Sequence, residues 1–238
     1  MNILIINQPP FNRGDESAHK GLIRTLLKRF PDANIKVMHE AWLSESYRQY
    51  AVKDKRVEYF SEQQGCIKFP RFRNHDVFTN HTCLWKWHPT YRWTERIYKW
   101  ADVVVCAPGG ICMGGFQDWN HLYHLRLAQL FKRPLAYYGR SFGPFPTETE
   151  RNRQFKKISL DMLHYFGYLS IRDHKTELLA DELNIPYIST IDSAFLDSPK
   201  VEIPYELKSV VGDKPYMVFV PNYLLWHYAY KGRISHET

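Results

Sequence analysis

The chain has 238 residues, 44% of them hydrophobic and 24% charged, a composition that suits a globular protein of one large domain or two small ones. Its net charge of +7 is spread along the sequence without a recognition-helix, zinc-finger or RNA-binding signature. That favours anionic small substrates or a membrane-surface site over a dedicated nucleic-acid binder. The four cysteines form no CxxC pair, and the opening MNILIINQPP is too soon broken by proline for a leader or membrane span. Both features point to a reducing cytoplasm. Aromatic residues reach 16%, enough to fill a core or to stack on carbohydrate.

In chain order, residues 1–7 (MNILIIN) read as a buried parallel strand. Residues 12–16 (NRGDE) read as a polar loop, and 17–30 as a helix with Ala18, Leu22, Leu26, Leu27 and Phe30 turned inward. Asp15 or Ser17 would cap that helix. Residues 33–39 give a second strand, completing a β–α–β opening that builds a doubly wound, mainly parallel α/β sheet. Residues 40–99 are rich in Arg, Lys, Tyr and Trp with weak periodicity. They read as an irregular insertion with one or two helices: a lid, an acceptor surface or a membrane-facing patch.

The strand 103–107 then runs into PGGICMGG, a helix is expected over 120–131, and the strand 134–139 breaks into RSFGPF. Two strands that each end in a glycine-bearing loop outline a pocket rim at the carboxyl edge of a parallel sheet. Further elements follow at 147–166 (helix), 168–172 (strand), 173–183 (helix) and 187–191 (strand). Residues 198–213 read as a link, and 215–222 (PYMVFVPN) as one more strand, the first of a second domain that this chain barely enters.

The loops are selective in what they exclude. No GK[ST] follows the PGG loop, and its glycines lack the GxGxxG spacing, so ATP hydrolysis and NAD binding lack support. Ser141 has no GxSxG setting, which removes a hydrolase triad. Gly109 and Gly110 offer backbone donors to an anion, and Arg140, Ser141 and Arg172 stand at strand ends facing the same rim. Arg172 can grip a carboxylate or phosphate bidentately, or form a structural ion pair. Asp173 reads as a helix cap, and Asp192 as a residue satisfying loop amides. Asn12 and Asp15 can hydrogen-bond hydroxyls or simply hold their loop. His121 and His124 share a helix face at i, i+3, as a protonated ligand for an anion or as surface residues. They lack the third ligand that a metal would need.

Five segments in this order, NRGDE, DVVVCAPGGICMGG, GRSFGPF, SIRDHKTELLADELNI and IDSAF, resemble the polysaccharide pyruvyl transferase family. The resemblance covers residues 2–195 and leaves out 40–99. It implies a Rossmann-like domain over 1–200 that forms the N-terminal half of a GT-B-like fold, with a linker and the first strand of a second domain over 213–238. It also implies transfer of the pyruvyl group of phosphoenolpyruvate to a sugar of a cell-surface polysaccharide, without metal or cofactor. Gly109, Gly110, Arg140 and Arg172 would hold the donor, with Asn12, Asp15 and Ser141 beside it and His121 or His124 as acid or anion ligand. The acceptor could be lipid-linked, with peripheral contact at the inner face of the membrane. Two other readings remain open: a GT-B-like glycosyltransferase using a nucleotide sugar, and a non-catalytic sugar-binding domain.

Overall fold

The computed structural model describes residues 1–8, 13–39, 43, 51–61, 89–110, 112–197, 205–212, 215 and 217. They fall into two units, Met1–Asp197 and Ser198–Thr238. The first is built on a seven-stranded parallel sheet, β1 (Asn2–Gln8), β2 (Asn34–His39), β3 (Val57–Ser61), β4 (Val103–Cys106), β5 (Leu135–Tyr137), β6 (Tyr168–Ile171) and β7 (Ile188–Ser189). Its strand order is β3-β2-β1-β4-β5-β6-β7. The direction of winding reverses between β1 and β4, and ligands of open α/β sheets bind where the strand order turns.

The centre of the sheet forms because β1 and β4 are apolar on both faces. Ile3, Leu4, Ile5 and Ile6 are each at most 1% exposed, and they align with Val103, Val104, Val105 and Cys106. Burying each such side chain contributes about 1.5–3 kcal/mol. Helix α1 (Arg13–Arg29) covers one face through Leu22, Ile23 and Leu27 against Ile3, Ile5, Ile35 and Val37. The other face carries α2 (Pro89–Trp100), α3 (Trp119–Leu130), α4 (Glu150–Tyr165) and α5 (His174–Glu182). Helices on both faces, joined by parallel crossovers, make this the doubly wound α/β architecture.

Three local readings are corrected. Helix α1 begins at Arg13, so Gly14, Asp15 and Glu16 form its first turn and not a loop. Acidic groups there complement the positive end of the helix dipole. Phe30, read as inward-facing, lies past the helix end and is 41% exposed. Within 40–99, residues 57–61 form β3, paired in register with β2 from Ile35↔Val57 to His39↔Ser61.

On the α1 face, His19, His39 and Tyr59 meet with ring centroids 6.1–6.5 Å apart. Burial pulls the His19 imidazole well below its ordinary range, and it lowers His39 to about 4. In the second unit, Tyr205–Val211 is a helix, α6, inside the stretch read as a link. Gly212 closes it with φ of 57° and its N–H on the Lys208 carbonyl. The strand expected at 215–222 lies outside the described residues apart from Pro215 and Met217.

Candidate functional site

The carboxyl ends of β1, β4, β5, β6 and β7 bring five chain segments together. The two glycine loops touch one another: the Gly143 N–H donates to the Met113 carbonyl at 2.6 Å. A Cβ on Gly114 would lie 2.5 Å from the Gly143 carbonyl oxygen, so Gly114 serves close backbone packing. Gly110 differs. A Cβ there would meet no atom of the described residues within 4 Å. At Gly109 a Cβ would come within 3.2 Å of both Arg140 Nη2 and Asp15 Oδ1. The space a side chain at Gly109 would take is thus bordered by the Asp15 carboxyl, on the first turn of α1, and the Arg140 guanidinium, after β5.

Arg140 is 1% exposed and donates inward. Its Nη1 reaches the Ala107 carbonyl at 2.8 Å and the Asn7 carbonyl at 3.5 Å, and its Nε reaches the Gly110 carbonyl at 3.2 Å. Nη2 lies 3.0 Å from Cys112 Sγ. This side chain ties the ends of β1 and β4 and the PGG loop to the end of β5. Ser141, next in the chain, donates its hydroxyl to Asp173. Asp173 caps α5 as the sequence suggests, accepting from the Thr176 N–H at 2.9 Å. Burial pushes the Asp173 carboxyl up, but hydrogen bonds from Ser141 and Thr176, with the Arg172 charge, hold it below its ordinary value.

Arg172 is half-buried and forms an ion pair with Asp192. Asp192 also accepts from the Ala194 N–H at 2.9 Å, capping the 3-10 turn Ser193–Leu196. That turn is locked to α1 by the Ser193 hydroxyl on the Ala18 carbonyl at 2.7 Å. Close approach there needs Gly21, where a Cβ would fall 2.0 Å from the Ser193 carbonyl oxygen. The 3-10 turn thus carries Asp192 back to α1. Asp15 feels this company: burial raises its carboxyl pKa, Arg140 and Arg172 oppose the rise, and Asp192 adds to it.

The two histidines sit elsewhere than on the surface. Helix α3 is buried along its length, with His121 fully buried and His124 at 3% exposure. Its N-cap, Asp118, accepts from the Asn120 and His121 N–H groups. The His121 ring packs edge-on against Tyr137, with Nε2 3.9 Å from Cys106 Sγ. Burial, with the nearby Arg140 charge, holds its imidazole well below the ordinary range, so it stays neutral. His124 lies against Tyr98 of α2, its Nδ1 3.4 Å from the phenol oxygen. His121 is one layer beneath Arg140, and His124 faces the α2–α3 contact.

Sequence reasoning passed over Asn7, Cys112 and Ser193. Asn7, next to last in β1, sits in the left-handed region, φ 61°, and its amide donates to the His121 carbonyl at 3.2 Å. A polar residue closing an apolar strand was the available signal. Asn12 lies outside the described residues. Among those described, no three His, Cys, Asp or Glu side chains converge as a metal site, and no helix is long and apolar enough to cross a membrane.

No curated protein matches the chain. A family model, polysaccharide pyruvyl transferase, matches residues 12–234, a span that takes in 40–99 and continues past Phe195. By that match over most of its length, with the parallel sheet and the loops at its winding reversal, the chain belongs to the polysaccharide pyruvyl transferase family.

Proposed function

We propose that the rim around Gly109 and Gly110 takes phosphoenolpyruvate and transfers its pyruvyl group to two hydroxyls of a sugar in a cell-surface polysaccharide. The observation that carries this reading is the approach of Asp15 and Arg140 to Gly109 at the switch point, with the Arg172 charge acting on Asp15 from the end of β6. A donor with a carboxylate and a phosphate needs cations and backbone N–H groups, and this edge supplies both. Among the described residues of this rim, Arg172 is a cation that a ligand can reach, exchanging Asp192 for the donor's anionic group. Arg140 shapes the loop from beneath.

Ketal formation requires a proton on C3 of the enol, attack of two hydroxyls on C2, and loss of phosphate. One hydroxyl proton ends on the new methyl group and the other on the departing phosphate, so charge and atoms balance. Asp15 suits the proton transfer to C3, because burial keeps its carboxyl protonated at higher pH than an ordinary aspartate. His121 and His124 are the acids the sequence suggests. Their burial, and the neutrality of His121, favour Asp15 instead, with His121 supporting the Arg140 layer.

The test is phosphate release from phosphoenolpyruvate in the presence of sugars with neighbouring hydroxyls, followed with donor titration. Asp15→Asn should lower kcat by roughly 10²–10⁴-fold while leaving donor affinity close to wild type. Saturable nucleotide-sugar binding without phosphoenolpyruvate binding would sink the reading.

A further inference from the structure

At the β2–β3 edge, away from the glycine loops, the described residues form a groove of about 460 Å³. One wall is α2, which presents Trp93, Arg96, Ile97 and Trp100 at i, i+3, i+4 and i+7. The floor is the sheet face carrying Lys36, Glu58 and Phe60. On the opposite face the same strands carry Ile35, Val37, Val57 and Tyr59, packed with α1. Beside α2 an ion pair, Lys36 Nζ to Glu58 at 3.4 Å, occupies positions where a covered sheet would carry apolar residues.

Both indoles are held in place. Trp93 makes a T-shaped contact with Phe60, ring centroids 5.8 Å apart, and the Lys36 ammonium lies 4.7 Å from the centre of the Trp100 ring. Fixed aromatic surfaces lose little freedom when a ligand lands on them. The charged floor decides what can land. An apolar peptide or a lipid tail would desolvate the Lys36–Glu58 pair without replacing its hydrogen bonds. An anion would meet Arg96 but also face the Glu58 carboxylate beside Lys36. A sugar unit fits both demands, with C–H faces against indole and hydroxyls toward Glu58, Lys36 and Arg96. The volume lies within the ~300–1,000 Å³ typical of small-ligand sites.

We infer that this groove is an acceptor subsite that holds oligosaccharide units remote from the reacting sugar, an inference that rests on the polysaccharide acceptor proposed above. The placement suits it. Helix α2 returns the chain from the β3 side to the start of β4, so it runs against the strands. Trp93, beside Phe60 near the end of β3, is therefore nearer the carboxyl edge than Trp100, beside Lys36. A glycan leaving the donor loops at that edge would pass Trp93 first.

The probe is a panel of neutral oligosaccharides from disaccharide to hexasaccharide, titrated against the full chain without donor, by calorimetry and tryptophan fluorescence. Longer members should bind and quench the indoles, and Trp100→Ala should weaken them by roughly tenfold or more. Glu58→Gln and Arg96→Gln, at exposed positions that leave the core intact, should weaken the same ligands by a few fold. In turnover, each variant should raise KM for long acceptors and leave KM for a disaccharide unchanged. The inference is overturned if no panel member binds, if binding ignores all three substitutions, or if Trp100→Ala instead dissociates a dimer. Phosphate release with a disaccharide reports separately on pyruvyl transfer, so the two readings can fail independently.

Discussion

Arg140 and Arg172 end adjacent parts of the same sheet edge, yet they are held in opposite ways. Arg140 is sealed beneath the loops, and its donors go to the carbonyls of Asn7, Ala107 and Gly110. Arg172 keeps 23% of its side chain exposed and is held by the Asp192 carboxylate. Backbone carbonyls cannot leave their places, whereas a carboxylate can yield to another anion. One arginine therefore fixes the shape of the rim, and the other can exchange partners at it.

The largest effect should come from the anchor. Arg140→Ala leaves several buried carbonyls without donors, at about 1–3 kcal/mol for each unsatisfied group. A loss of roughly 3 kcal/mol or more in urea denaturation is expected. Arg140→Lys should recover only part of it, because an ammonium cannot reproduce the fork that spans three carbonyls. Unchanged stability in Arg140→Ala would erase the distinction between the two arginines.

Arg172→Ala should do the reverse. Its partly exposed ion pair is worth at most ~1 kcal/mol to stability. Donor affinity should fall by about 1.5–3 kcal/mol, roughly 10–150-fold, if charge-assisted hydrogen bonds to the donor form there. Phosphoenolpyruvate titration followed by calorimetry separates the two quantities. A variant that loses stability but not affinity would return Arg172 to a purely structural pairing with Asp192.

Sequence told these residues apart poorly, although it placed them well. β1, β4, β5 and β6 are short apolar runs bounded by Gly, Pro or polar residues, and such runs are legible because both faces are buried. β3 escaped notice because Glu58 interrupts it and its neighbours are charged, a consequence of a sheet edge whose α2 side mixes Glu58 and Lys36 with Phe60. The helix start at Arg13 was hidden by Gly14, which reads as a turn. For His121 and His124 the difficulty is deeper. A histidine on a helix looks the same in sequence whether that face meets water or another helix, and α3 is enclosed on every side. Arg140 and Arg172 likewise follow similar apolar strands, and the burial that separates their roles arises from loops distant in the chain.

Ser141 and Asp173 join the two arginines' segments, since each is the next residue after one of them. A double-mutant cycle on Ser141→Ala and Asp173→Asn should return a coupling of roughly 0.5–3 kcal/mol in stability. Asparagine still caps a helix well and still accepts from Ser141, so the cap on α5 should survive in Asp173→Asn and the coupling should report the contribution of the carboxylate charge to the bridge. Additive losses would mean that the Arg140 and Arg172 segments are held independently, which would sharpen their difference further.

The smallest effect is one of pH. Asp173 has a folded pKa below the ordinary 3.8, so the unfolded chain binds its proton more readily. Its contribution to stability is complete above about pH 3.8 and is lost as pH falls through the lower folded value. The buried histidines act in a higher window. With His39 lowered to about 4 and the unfolded imidazole near 6.5, stability should decline as pH falls from 6.5 toward 4. Denaturation midpoints of wild type and Asp173→Asn should therefore keep a constant separation from pH 7 to 5 and converge below pH 4. Convergence already between pH 6.5 and 5 would mean that the Ser141–Asp173 bridge answers to histidine ionisation, and the Arg140 layer above His121 would then be less rigid than its burial implies.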